Sequence, residues 1–374
     1  MHEAIGDDVC QCQLCDIGLP LASLESACPT SESCCVAVVV KERNYDRGES
    51  CMPRALITGV NGQDGSYLAE WLLGQGYEVI GLMREGGQRR PDHIGHIRNQ
   101  LTLIQGSLLD AYFLRRVLDQ YEPQEVYNLA ARPSSQLMME PVRTADYNGL
   151  AVARLLEEIR AVNPRIRFCQ ASCSDMFGAV SESPQNELTP FRPITAYGAA
   201  KLFAHGMVGA YREMFGIFAC SAILFSHESP RRSLEVVTRK ITMAASRIHV
   251  GLAHTLDLGG LELVSDWGFA GDYARAMWQM LQAEVADDYV VATGVGHSIR
   301  EFCELAFAHV GLDYRRHIHC DPQAPALPER MPLVGDASKL KCALGWQPSV
   351  SFDRIVRMMV DADVKFVSSR PCIN

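Results

Sequence analysis

Gly59-x-x-Gly62-x-x-Gly65 constrains this chain more than any other feature, because of what stands on either side of it. Arg54-Ala-Leu-Ile-Thr58 before it is a short apolar run that reads as a buried parallel strand. Ser66 to Gln75 after it carries helical periodicity through Leu68, Ala69, Leu72 and Leu73. Strand, glycine turn and helix in that order form a dinucleotide-binding unit. The first glycine permits the tight turn, the second lets backbone approach a pyrophosphate, and the third lets helix pack on strand. The helix N-terminus then offers amide hydrogens and a positive dipole end to the phosphates. Glycines serving only a tight turn are the plainer reading.

The rest of the chain continues the alternation. Gly76–Met83, Leu101–Gln105, Glu125–Leu129 and Arg167–Ser172 read as further strands, with helical segments such as Tyr112–Gln120 and Gly149–Ala161 between them. That order implies βαβ units and a Rossmann-like, doubly wound parallel sheet of the α/β class. Past about residue 226 the pattern loosens, with Pro230, Gly259-Gly260 and a proline-rich loop at 322–332. The expected division is a Rossmann domain over 52–225 with a returning segment at about 264–294. A smaller C-terminal substrate-binding lobe takes 226–263 and 295–374.

Residues 1–51 stand apart. They hold seven of the fourteen cysteines: Cys10, Cys12, Cys15, Cys28, Cys34, Cys35 and Cys51. Cys10-x-Cys12-x-x-Cys15 has spacing that can share a zinc ion, but no partner pair follows it. A poorly ordered extension is the expectation, with Met52 a natural start for the globular part and no metal site. The net charge of −9 argues against a nucleic-acid partner. No run of about 18 apolar residues marks a membrane span, and no basic-then-apolar leader marks secretion. A cytoplasmic enzyme is expected.

Tyr197-Gly-Ala-Ala-Lys201 puts a phenol and an amine one helical turn apart on one face. A free tyrosine, with a pKa of about 10, is a poor base near neutrality. The lysine ammonium and an oxidised nicotinamide are expected to favour its phenolate. Such a phenolate can take a sugar hydroxyl's proton as hydride leaves the same carbon. Many helices carry this pair on a solvated face, so its weight comes from sharing a chain with the glycine turn. Ser172-Cys173-Ser174-Asp175 adds a carboxylate upstream. Once a 4-keto group exists, the carbon 5 proton is acidic and Asp175 can remove it. Water is then lost from carbon 6 and the hydride returns there. The plainer reading of Asp175 is a turn cap after the fifth strand.

The second strand ends Leu82-Met83-Arg84, followed by Glu85 and, shortly after, Arg89-Arg90. An NAD enzyme usually ends that strand in an acidic residue, for the ribose hydroxyls. Arginine suits a 2′-phosphate instead. NADP is the expected cofactor and NAD the less favoured one, while a solvated loop would also account for Arg89 and Arg90.

Several stretches together resemble the GDP-mannose 4,6-dehydratases, which are extended short-chain dehydrogenase/reductases. They are Thr58-Gly-Val-Asn-Gly-Gln-Asp-Gly-Ser-Tyr-Leu-Ala-Glu-Trp-Leu-Leu73, Tyr127-Asn-Leu-Ala-Ala131, the Tyr197/Lys201 pair, His227-Glu-Ser-Pro-Arg-Arg232, Val237-Thr-Arg-Lys-Ile241 and Asp266-Trp-Gly268. The resemblance runs from about Arg54 to Pro348. It implies a lyase that binds NADP and oxidises, eliminates and reduces on a nucleotide sugar, taken to be a GDP-hexose. It implies cofactor contacts at Gly59, Asn61, Gly62, Gln63, Asp64, Gly65, Arg84, Leu108, Leu129, Ala130, Ala131, Tyr197, Lys201, His227 and Arg232. Tyr197 would be the oxidation base, Asp175 the base at carbon 5, and Cys173 and Ser174 their catalytic neighbours. Lys240 and Ser226 would face the substrate, with Lys240 at its diphosphate. A homodimer or homotetramer is implied too.

This chain departs from the family pattern at named places. Ser-Thr-Ser-Glu becomes Ser172-Cys173-Ser174-Asp175. A thiol is a weaker donor than a hydroxyl, and the shorter Asp175 retracts its carboxylate by about one methylene, when a shift near 1 Å can cost roughly 10²-fold. Beside Lys201 and an oxidised nicotinamide, the Cys173 pKa is expected to fall, making the thiol reactive. Ser107 replaces an acidic residue near the adenine, Ser226 an Asn, Ser265 an Arg and Leu327 an Arg. Ala130-Ala131-Arg-Pro-Ser-Ser135 is reworked. Against the dehydratase reading stand two others: a related 4-ketoreductase or epimerase, and a catalytically silent protein that binds NADP or a nucleotide sugar.

Overall fold

The computed structural model describes residues 52–84, 86, 92–132, 140–320 and 331–369. Residues 1–51, with the candidate zinc cysteines, lie outside that set, as do Glu85, Arg89, Arg90, Ser134, Ser135 and Leu327. The chain opens with β1 (Arg54–Thr58), α1 (Gln63–Gly74), β2 (Glu78–Met83) and β3 (Leu101–Gln105). Next come α2 (Ala111–Tyr121), β4 (Glu125–Asn128), α3 (Pro141–Ala145) and, after a π-helical turn at Asp146–Leu150, α4 (Ala151–Val162). The remaining Rossmann elements are β5 (Arg167–Cys173), α5 (Ala196–Phe215) and β6 (Ala219–Leu224). Then follow β7 (His227–Glu228), α6 (Val237–His249), β8 (Leu256–Leu258), β9 (Val264–Asp266), β10 (Gly268–Phe269), α7 (Ala270–Gln282) and β11 (Tyr289–Val291). The chain closes with β12 (Gly296–Ser298), α8 (Ile299–His309), β13 (Ile318–Cys320), α9 (Ser338–Leu344) and α10 (Phe352–Ser368).

The expected doubly wound sheet is present. Its seven strands run β11-β6-β5-β4-β1-β2-β3, all parallel. The order reverses between β1 and β4, and ligands of such sheets bind outside the carboxyl ends of the strands at that point. Both faces are covered, which is why the strands read as unbroken apolar runs. Leu68 and Leu72 of α1 pack with Met277 and Met280 of α7 on one face. Leu114 and Leu118 of α2, Leu155 of α4 and Val208 of α5 cover the other.

A separate core joins α6, α8 and α10 through Ile241, Phe302, Phe307 and Met359. Arg239 and Asp363 form a buried ion pair there, at 2.6 Å, and Thr242 donates to the same carboxylate. Three two-stranded ribbons, β10-β7, β12-β9 and β13-β8, border this lobe. Asp266 of the Asp-Trp-Gly motif holds it to the sheet. Its buried carboxylate accepts from Thr293 Oγ1 at 2.6 Å and from the amides of Thr293 and Gly294. Among the described residues no helix is long and apolar enough to cross a membrane.

The glycine turn is as tight as its spacing implies. Gly59 sits at φ +73°, and a Cβ on Gly65 would lie 2.4 Å from the Gly59 carbonyl oxygen. A Cβ on Gly74, by contrast, meets nothing within 4 Å. Gly65→Ala is therefore expected to destabilise the protein by roughly 1–3 kcal/mol through overpacking. Gly74→Ala is expected to be neutral or slightly stabilising, since alanine is the better helix former. Urea midpoints of the two variants measure the difference, and equal midpoints would refute it.

Candidate active site

Three groups of side chains meet at the carboxyl ends of the strands. The first lines a cleft at the β1/β4 reversal. Its floor is the turn of Gly59, Asn61 and Gly62; one wall is Arg84, Ser107 and Leu108; the other is Leu129, Ala130, Ala131, Arg132 and Tyr147. Thr58 sets the spacing. Its hydroxyl donates to Asn128 Oδ1 at 2.7 Å and accepts from the amides of Leu129 and Ala130 at 3.1 and 3.0 Å. Asn128 in turn donates to Gln170 on β5. A Cβ on Gly59 would stand 3.0 Å from Ala130 Cα, so only glycine lets the two strand ends approach this closely.

These residues fit a dinucleotide. Gly62 caps α1 without any side-chain hydrogen bond, leaving the first helix amides to the cleft. A Cβ on Gly62 would crowd the Gly59 carbonyl at 3.1 Å. Gly65 serves packing within the turn.

The second group braces the turn from behind. Gln63 donates to the His227 carbonyl and accepts from Ser229 Oγ at 2.8 Å. His227 Nδ1 faces the Phe225 carbonyl at 2.7 Å, and Nε2 lies 3.0 Å from Asp64 Oδ1. Burial alone would raise the Asp64 pKa, but the charges of His227 and Arg232 and hydrogen bonds from His227 and Gln63 hold it at about 2. Burial works against the His227 cation as well, yet Asp64 raises its pKa. Both shifts describe one ion pair, which neutralises an acidic residue in the first turn of α1. Arg231 adds a staple, donating to Ser66 Oγ at 2.9 Å and pairing with Glu70.

The third group carries the candidate acid–base chemistry. Thr195 caps α5, its hydroxyl accepting from Gly198 N at 3.0 Å, so that Tyr197 and Lys201 lie on the first turns. Gly198 is necessary, because a Cβ there would lie 2.4 Å from the Asp175 carbonyl oxygen. That contact presses α5 onto the end of β5. Lys201 is buried, donates to the Ala171 carbonyl at 2.7 Å, and lies 5.7 Å from the Tyr197 ring centroid. Ser174 is buried, Cys173 half-buried and Asp175 exposed. Ser172 Oγ is buried with no hydrogen-bond partner among the described residues.

The residues matched by the family model for GDP-mannose 4,6-dehydratase are 56–359. This chain belongs to that family. It is 47% identical to GDP-mannose 4,6 dehydratase 1 of Arabidopsis thaliana over 83% of this chain and 90% of that protein. It is 40% identical to the Homo sapiens GDP-mannose 4,6 dehydratase over 88% and 96%. Among solved structures it is similar to a UDP-glucose 4-epimerase of Thermus thermophilus in complex with NAD, at 25% identity and a TM-score of 0.72, covering 83% of this chain and 98% of that one. The family is one of lyases with an extended short-chain dehydrogenase/reductase fold that bind a nicotinamide dinucleotide and a nucleotide sugar.

The protein's own groups set the resting electrostatics of this cluster. Burial first, then the Asp175 charge, push the Cys173 pKa up to about 12, and Lys201 only partly offsets them. The thiol is a neutral donor. Tyr197 also moves up, well above the ordinary phenol range, through burial and then Cys173 and Asp175, while Arg232 pulls it down. Lys201 moves the other way, lowered by burial.

Other candidate positions differ in place. Arg84 is exposed at the end of β2. Ser226 is half-buried between β6 and β7, and its carbonyl accepts from Gly268 N at 2.9 Å. Lys240 is exposed on the first turn of α6, whereas Thr238 and Arg239 beside it are buried. Thr58, Arg132, Tyr147 and Arg231 are the structural contributors that spacing rules missed. Thr58 ends an apolar strand, and Tyr147 follows no motif.

The Asp64–His227 pair has a pH signature. The depressed Asp64 pKa contributes stability above its ordinary value of 3.8 and loses it as pH falls toward about 2. The raised His227 pKa contributes below 6.5 and loses it as pH rises through the folded value. Asp64→Asn is expected to cost about 2 kcal/mol near pH 5–6, the gap narrowing as pH drops below about 4. Urea unfolding at a series of pH values measures this, and a gap that stays constant down to about pH 3 would contradict it.

Proposed function

We propose that this chain is an NADP-dependent 4,6-dehydratase whose substrate is a GDP-hexose and whose product is the GDP-4-keto-6-deoxyhexose. The observation that carries the reading is the docking of α5 on the end of β5, which gathers Tyr197, Lys201, Cys173, Ser174 and Asp175 one strand over from β4, whose end walls the cleft. Arg84 supports NADP over NAD. It stands just past β2 and lines the cleft, and Ser107 rather than an acid lines the same wall.

When bound, the oxidised nicotinamide supplies the hydride acceptor, a positive charge over the site, and later the returning hydride. The protein supplies the proton transfers. Tyr197 rests as a neutral phenol because burial and the nearby Asp175 charge disfavour its anion. Arg232 and added positive charge offset that, so the phenolate forms when the site is loaded and takes the hydroxyl proton at carbon 4. Lys201, fixed on the Ala171 carbonyl, orients this end of the site. Asp175 takes the carbon 5 proton of the keto sugar and passes it to the carbon 6 hydroxyl, which leaves as water; a proton exchanged with solvent is later returned to carbon 5. Cys173 and Ser174 donate weakly to the sugar oxygens, the thiol the poorer of the two.

Incubation with GDP-mannose and a panel of other nucleotide sugars in heavy water tests this. The expected product is lighter by one water, carries deuterium at carbon 5, and holds at carbon 6 the hydrogen that began at carbon 4. Inversion without water loss, or net consumption of NADPH, would mean a different reaction. Tyr197→Phe is expected to lower kcat by about 10²- to 10⁴-fold. Cys173→Thr, which restores a better donor, is expected to raise it.

A further inference from the structure

The β4 wall of the cleft runs past Ala131 into Arg132, a residue that the reaction above leaves without a task. Its backbone is pinned from both sides: Arg132 N donates to Asn148 Oδ1 at 2.9 Å, and Asn148 Nδ2 donates to the Arg132 carbonyl at 3.1 Å. Asn148 is itself buried and also donates to the Thr144 carbonyl. The side chain is seated rather than loose, its guanidinium carbon lying 4.3 Å from the centroid of the Tyr147 ring. Tyr147 lies close to Arg143 on the same helical run. It projects from the π-helical turn that breaks the α3–α4 run, and such turns often mark functional sites.

A guanidinium seated only to hold a wall together would be paired with a carboxylate. Among the described residues none forms an ion pair with Arg132, and its Nε is buried with no hydrogen-bond acceptor. Leaving a charged donor unsatisfied is costly unless something else accepts from it. Arg132 and Tyr147 line the cleft together with Gly59 and Gly62, so an anion bound there would lie beside a guanidinium that has no carboxylate partner among the described residues.

Topology says which part of a dinucleotide that is. β1 lies between β4 and β2 in the sheet, so Arg132 beyond β4 and Arg84 at the end of β2 stand on opposite sides of the glycine turn. Ala130, two residues before Arg132, touches Gly59 itself. Arg84 is thus placed for a 2′-phosphate on the β2 side, and Arg132 for the phosphates over the turn.

We propose that Arg132, held on the Tyr147 ring, is the cationic anchor for the pyrophosphate of the bound dinucleotide. The proposal rests on the cleft being the dinucleotide site. The pyrophosphate is common to NADP and NAD, so Arg132 strengthens both equally and does not select between them.

Equilibrium titrations of the full-length protein with NADP and with NAD test this, using wild type, R132Q, R132K, Y147V and R84Q. R132Q is expected to weaken both dinucleotides by the same factor, about 10- to 100-fold, the loss of a charge-assisted bond to phosphate. R132K should recover part of the loss, and Y147V should fall between wild type and R132Q. R84Q should weaken NADP more than NAD. Added salt should weaken wild-type binding more steeply than R132Q binding, which a merely structural role would not produce. R132Q binding as tightly as wild type, or losing affinity for NADP alone, would overturn the proposal while leaving the cleft's function intact. Wild type that binds neither dinucleotide would overturn the reading of the cleft itself.

Discussion

The open end of the sheet depends on how closely the turn after β1 approaches the end of β4. A single Cβ at Gly59 would press on Ala130, and a single Cβ at Gly65 would strike the Gly59 carbonyl. Thr58 sets the distance by bridging to Asn128 and to the amides of Leu129 and Ala130. From Asn128 the same network passes to Gln170 on β5. β5 then leads to Cys173, Ser174 and Asp175, so one buried chain of hydrogen bonds ties the cleft to the strand that carries that cluster.

Burial decides the charge state of that cluster. Cys173, Tyr197 and Lys201 are all shifted toward their neutral forms, and in each the loss of water outweighs favourable neighbours. On the proposed function, the positive charge of an oxidised nicotinamide would offset that burial at Tyr197, which would link proton transfer to occupancy. Asp64 and His227 behave oppositely, because each is the other's counter-ion and their pairing outweighs burial.

Much of this was legible in the residues. The strands at Leu101–Gln105 and Arg167–Cys173 lie within a residue of where apolar runs placed them, because strands buried on both faces leave unbroken apolar text. The Tyr197/Lys201 pair was legible because helical spacing alone puts both on one face. The pKa directions were not. They turn on how much water each group loses, and a motif shows a neighbour's charge without showing its burial. Arg132 and Tyr147 were also hidden. Fifteen positions apart, they meet only through a π-helical turn, and no local period announces such a contact.

The sequence by itself determined the alternating α/β fold, the glycine turn, the family, and the residue types available for hydride and proton transfer. Those follow from local rules of periodicity, glycine conformation and helical spacing. Tertiary structure alone decided which side chains share a cavity, which lose their water, and which charges find partners. Those depend on distances between strand ends and helix starts far apart in the chain, set here by the Thr58 network and the Gly198–Asp175 contact.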